Sequence, residues 1–257
     1  MHLQAILTIA RTTVIENIRK QIFQALVLMT GALIAASTLL SFFDLGVQVK
    51  LLKDLCGVSL LFSGAVMAIV LSVSSLPGEV EGKTIYPLLA RPMNRATFVL
   101  GKYLGILITV FAGLGVLCGV FFLLLLRYQH GIESLTWITI GYIYLEVALL
   151  AAMGMWLSTF TAPFLAATLA LFLYLAGSIK IGYLKYLIEK NPSHLTQAAL
   201  KTFYHLLPNL ESFNFKDAMI YGGPVPGDYL IQVAIYGVLY TAFLIVLTVA
   251  IFDRKEL

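Results

Sequence analysis

A few residues in this chain have the types and spacing that chemistry requires. Glu79 and Glu81 are carboxylates two positions apart, the arrangement in which an acid–base pair would be sought. Their neighbours suit docking rather than proton transfer, so that role is set aside. Gly82-Lys83-Thr84 has the ending of a phosphate-binding loop. The first glycine of such a loop would fall at Pro77, Gly78 is one residue too close, and no strand precedes the motif. Nucleotide binding by this chain is rejected, and any ATP chemistry has to come from another polypeptide. His2, His130, His194 and His205 show no metal-ligand spacing, although His194 and His205 share one surface segment. No serine or cysteine joins a histidine and an acid in a nucleophilic arrangement. No catalytic or metal-binding residue emerges. Glu146 is different, because it stands well inside an apolar run. A charge near the bilayer centre costs at least ~2.5–3.5 kcal/mol, so such a residue faces protein or water. Two readings of Glu146 stay open: it lines a substrate path, or it is a packing residue beside Tyr142 and Tyr144.

The elements that must carry these residues are membrane helices. Of the residues, 60% are hydrophobic and only 12% charged, and the mean hydropathy is +0.93. Apolar runs of about 20 residues recur, the length at which a helix crosses hydrocarbon. The alternating segments of ~10 residues that a transmembrane barrel needs do not occur. Cys56 and Cys118 lie inside apolar runs and read as small buried hydrophobes. The net charge of +4 comes without a basic run or interleaved aromatics, which excludes nucleic acid as a partner and is ordinary beside anionic lipid.

Read in order, the sequence opens with an amphipathic helix over 2–20. Ile6, Ile9, Ala10, Val14 and Ile18 share a face, the pattern of a helix lying in the membrane interface. Packing on a soluble partner is the alternative. Six spans follow, at 22–43, 55–76, 98–126, 137–158, 163–183 and 229–252. Asp44, Lys50, Lys53 and Asp54 are expected in a loop between the first two. In the third span Gly101, Gly105, Thr109, Ala112, Gly115 and Gly119 form a stripe of small residues. It serves either a subunit interface or a neighbouring span. Segment 185–228 reads as extracytoplasmic amphipathic helices resting on or dipping into the membrane, broken by Pro208, Gly222, Gly223, Pro224, Pro226 and Gly227.

The densest polar island, in loop 77–97, joins spans two and three. Pro77 and Gly78 end one helix. Glu79 and Glu81 suit the first turn of a short new helix, and Ile85, Leu88 and Leu89 give it an apolar stripe. Arg91-Pro92 ends it, and Asn94 caps the next span. A short stiff helix between two spans is suited to press on something outside the bilayer. Arg11, Arg19, Arg91, Arg95 and Arg254 favour a cytoplasmic loop and cytoplasmic termini, but the lysines run the other way, so charge bias is weak support.

Glu79-Val80-Glu81-Gly82-Lys83-Thr84, then Leu88-Leu89-Ala90-Arg91-Pro92, Arg95 and Leu100-Gly101-Lys102-Tyr103, resemble the cytoplasmic loop of type-2 ABC exporter permeases. The C-terminal Ile251-Phe252-Asp253-Arg254-Lys255-Glu256-Leu257 is similar to the family's usual ending. Lys83 departs from the pattern, standing where the family runs from Gly to Thr. The resemblance implies an all-α integral membrane protein, one permease domain over 1–257 in the inner (plasma) membrane. It implies a coupling helix in which Glu79, Glu81, Gly82, Thr84, Leu88, Leu89, Arg91 and Pro92 meet an ABC ATP-binding subunit. It also implies dimerisation with a second copy or a related permease. This chain would hold no cofactor, with ATP and Mg on the partner. The competing readings are a mechanical or assembly subunit driven by an ATPase, and a membrane-embedded enzyme using Glu146 or His205.

Overall fold

The computed structural model describes residues 2–40, 45–77, 94–128, 131–178 and 208–254. Helix α1 (His2–Arg19) turns by 64° into α2 (Gln21–Ala36), which ends in a short 3-10 turn, Ser37–Leu40. Then come α3 (Leu45–Val73), α4 (Arg95–Tyr128), α5 (Ser134–Ser158) and α6 (Pro163–Gly177). A second 3-10 turn (Glu211–Phe213), a single-turn α7 (Lys216–Tyr221) and α8 (Gly227–Asp253) complete the order. No strand occurs among the described residues.

Among the described residues four helices, α3, α4, α5 and α8, are long and apolar enough to cross a membrane, and α1 with α2 make a fifth if counted as one bent span. Helix α6 has 15 residues, short of a span in its described part; residues 179–207, which include the expected end of the fifth span, lie outside the described residues. The chain is therefore a multi-pass helical membrane protein.

Local chemistry sets the helix ends. Asn94 Oδ1 accepts from the Ala96 N–H at 3.2 Å, the cap expected from sequence. Pro163 opens α6, where its missing N–H costs nothing. Gly222 closes α7 at φ 72°, a left-handed conformation that suits glycine. Within the spans, some buried hydroxyls are satisfied by their own helix: Thr109 donates to Gly105 O and Thr248 to Leu244 O, each at 2.8 Å. Tyrosines tie spans together, as where Tyr103 Oη donates to Ala148 O at 3.0 Å. Cys56 and Cys118 are buried free thiols, as expected.

The core lies where α3, α4 and α5 meet, around Leu60, Met67, Leu114, Val147 and Leu150. Helices α3 and α5 run side by side in the same direction. Lys53 near one end of α3 meets Glu133 just before α5, and Ser72 near the other end meets Gly154.

Of the residues expected in the first loop, Asp44 lies outside the described residues, and Lys50, Lys53 and Asp54 are not in a loop but in α3. Their charges find partners from elsewhere in the fold, which is why the helix tolerates them. Lys53, 4% exposed, reaches Glu133 Oε2 at 2.9 Å and Met219 O at 3.3 Å. Lys216 pairs with Asp54 at 2.8 Å, and Lys50 Nζ stands 5.8 Å from the centre of the Tyr221 ring.

Candidate functional site

The coupling residues expected from sequence, Glu79, Glu81, Gly82, Thr84, Leu88, Leu89, Arg91 and Pro92, lie outside the described residues, as do Lys83, His130, His194 and His205. What is described is the ground on which residues 78–93 stand. On one side, α3 ends in a buried turn where the Ser75 N–H donates to Ser72 O at 3.2 Å, with Leu76 2% exposed. On the other, Asn94 fixes the start of α4, whose 34 residues extend about 51 Å at 1.5 Å per residue. A bilayer core is about 30 Å thick, so α4 exceeds it and can rise from the membrane as a post.

Two other elements brace that post. Arg95 donates to the carbonyls of Phe252 at 2.8 Å and Asp253 at 3.1 Å, at the end of α8. The last carbonyls of a helix lack the full set of intrahelical donors, and the guanidinium also answers the negative end of the helix dipole. The Phe98 and Phe252 rings stack above them at 6.0 Å. On another side lies α1. Ile9, Ala10, Thr13 and Asn17 are buried there, whereas Ile6 and Val14 sit at the edge and Ile18 is exposed. The buried face is thus rotated from the one that hydrophobicity alone marks. The cause is on α4: Gly101 and Gly105 let the α1 backbone come close. A Cβ on Gly105 would lie 2.6 Å from Thr13 Cβ and 2.8 Å from Ala10 O. Lys102, also buried, reaches toward Glu16 at 3.7 Å, and Glu16 binds Lys20 at 3.1 Å.

The small-residue stripe on α4 therefore divides. Its first turns receive α1, and Gly113, not part of the expected stripe, receives Phe23 of α2. Ala112, Gly115 and Gly119 remain exposed. The first half of α1, the end of α8 and both approaches to residues 78–93 gather at one end of the bundle. The ion pairs of Lys53 and Lys216 gather at the other.

A model describing ABC-2 family transporter proteins matches residues 4–257. The chain belongs to the ABC-2 transporter family. It is a permease, the membrane subunit of an ABC transporter, and the family implies association with an ABC ATP-binding subunit. Comparison with curated proteins yields no match.

Within this ABC-2 permease the remaining sequence-flagged residue is Glu146. It is 2% exposed, twelve residues from each end of α5 (Ser134–Ser158), and lines a cavity of about 180 Å³. The cavity lies between α3, α5 and α6 beneath segment 208–221, which enters the bundle from the end opposite the termini. Phe213, 1% exposed, packs against Leu145 and the bare backbone of Gly237. Phe215 packs on Tyr142 and Tyr229. The described part of the expected surface segment 185–228 thus dips deeply. Sequence reasoning flagged Glu146 from polarity in an apolar run but missed the cavity, whose roof comes from residues about seventy positions away. Among the described residues, no group of three or more His, Cys, Asp or Glu side chains could hold a metal.

Replacing Arg95 with alanine should loosen the brace. We expect a loss of about 1–2 kcal/mol, at the low end for charge-assisted hydrogen bonds because water reaches part of the site. A lowered unfolding midpoint in detergent, partly restored by Arg95→Lys, would reveal it.

Proposed function

We propose that this permease is the transmembrane subunit of an ATP-driven exporter, and that residues 79–90 form a coupling helix seated in a cleft of the ATP-binding subunit. Closure of the ATPase pair would push that helix and shift α3 and α4 together. The observation that carries the reading is the bracing of α4: Asn94 caps its start, and Arg95, Gly101, Lys102 and Gly105 bind its first turns to α1 and to the end of α8. A force applied between residues 77 and 94 therefore meets a stiff post. Packed elements pass such displacement on as rigid-body shifts rather than absorbing it.

On this reading the chain has six spans, with α1 at the cytoplasmic interface, both termini cytoplasmic, and the inner (plasma) membrane as its location. Two copies, or this chain and a related permease, enclose the pathway, and ATP and Mg bind the partner. The cavity at Glu146 favours transport of a solute over a purely mechanical role.

Copurification with the co-expressed ATP-binding subunit tests the reading. Changing Glu79 and Glu81 together to lysine should reduce the retained ATPase at least tenfold while leaving the unfolding midpoint unchanged. Undiminished copurification would count against it. So would labelling of Lys83 by an impermeant amine reagent added outside intact cells.

A further inference from the structure

We propose that the cavity beside Glu146 is a binding site for a protonated amine carried on a compact apolar body. The inference rests on the export reading above and names the class of cargo for it.

Several polar groups around the cavity are already engaged. Thr139 Oγ1 donates to Leu135 O at 2.8 Å, and Ser178 Oγ donates to Tyr174 O at 2.8 Å. Asn214 Oδ1 accepts from the Lys216 N–H at 3.2 Å, and Lys216 Nζ is held by Asp54 at 2.8 Å. The Glu146 carboxyl and the Tyr174 hydroxyl, which line the same cavity, have no hydrogen-bond partner among the described residues. Both side chains are deeply buried, at 2% and 6% exposure. Buried polar groups are nearly always paired, and an exception calls for an explanation. At mid-span an ionised carboxyl is especially costly unless a cation meets it.

Size and lining then select the kind of cation. A cavity of about 180 Å³ is slightly larger than the roughly 150 Å³ void that accepts benzene. It has room for one ring and a short arm, or for the amine end of a longer amphiphile. Phe62, Phe213 and Phe215 supply aromatic faces for an ammonium, and Val58, Leu61 and Leu175 supply an apolar bed. The ammonium N–H groups would donate to Glu146 and to the Tyr174 oxygen. A metal ion fits poorly, since hard cations take six or more oxygen ligands and the described lining residues supply one carboxylate. Anionic cargo is repelled by the same carboxylate. Phe62 and Leu175, 55% exposed each, border the cavity and leave a sideways entrance for an amphiphile from the lipid.

The test uses the full chain, with its ATP-binding subunit, in lipid nanodiscs. The probes are tritiated phenethylamine and its neutral counterpart 2-phenylethanol, which keeps the ring and arm. Phenethylamine should bind saturably, and 2-phenylethanol should displace it at least tenfold less well than unlabelled amine. Glu146→Gln should weaken amine binding at least tenfold while retaining the ATP-binding subunit and its gel-filtration profile. Equal displacement by the alcohol, unchanged binding to a folded Glu146→Gln variant, or no saturable binding to the wild type would each overturn the proposal. The alcohol comparison needs no variant, so a poorly folding substitution does not rescue the idea. Amine binding absent from a chain that still holds its ATPase sinks the cargo assignment alone. A wild-type chain that cannot hold the ATPase sinks the export reading instead.

Discussion

Gly105→Leu is expected to separate α1 from α4 and to destabilise the permease by about 2–4 kcal/mol. Leucine favours a helix more than glycine does by up to about 1 kcal/mol, so intrinsic propensity works against this outcome. Packing decides it. Even a Cβ at position 105 would stand 2.6 Å from Thr13 Cβ and 2.8 Å from Ala10 O, and the second of these is backbone. Neither atom is the free end of a flexible side chain, so α1 itself must move. Overpacking typically costs about 1–3 kcal/mol and more when backbone shifts, and displacement also exposes Ile9 and Ala10. Two readouts are informative: the unfolding midpoint in detergent, and the rate of crosslinking between cysteines introduced at Ala10 and Ile106. Both should fall. Gly119→Leu on the same helix is the control, because nothing lies within 4 Å of its added Cβ. If the two variants behave alike, α1 is not seated on α4 as described.

That seat shows why parts of the fold were legible in the sequence and parts were not. Apolar runs near twenty residues set the long helices, and Asn94 before a new run announced its cap, because both signals are local. The seat of α1 was less legible. Hydrophobicity ranks Ile6, Val14 and Ile18 above Thr13 and Asn17, yet Thr13 and Asn17 are buried while Ile18 is exposed. What selects the buried face is the absence of side chains on α4, about ninety residues away. The glycine stripe is visible in the sequence, but its two uses, subunit interface or neighbouring span, differ only in what lies opposite, and no local signal carries that.

The same logic explains the charges read as a loop. Lys50, Lys53 and Asp54 break the hydropathy pattern locally, and their partners Tyr221, Glu133 and Lys216 are far along the chain. Once those partners are in place, α3 can continue through the charged stretch and carry its polar end to segment 208–221. Glu146 was legible as an anomaly for the opposite reason: its run supplies no polar neighbour that would hide it. The cavity that gives the anomaly meaning depends on Phe213 and Phe215, which enter from a stretch whose glycines and prolines resemble an ordinary surface connection.

Removing Glu133 should harm this permease more than removing Lys53, although the two form one ion pair. Lys53 is 4% exposed and Glu133 44%, with 2.9 Å between Nζ and Oε2. Glu133→Ala leaves an ammonium in a dry setting, held by Met219 O at 3.3 Å. Stranding a buried charge costs about 3–5 kcal/mol, and the partial exposure of this pair lowers the expected loss to about 2–3 kcal/mol. Lys53→Met removes the buried charge and fills its space with a flexible apolar chain, while Glu133 is already reached by water. Its cost should stay near 1 kcal/mol, chiefly the hydrogen bond to Met219. The double variant should resemble Lys53→Met, since the carboxylate has no stranded partner left to neutralise. Unfolding midpoints of the three variants in one detergent would give this order. A Lys53→Met variant at least as unstable as Glu133→Ala would mean that the pair is not governed by the burial of its cation.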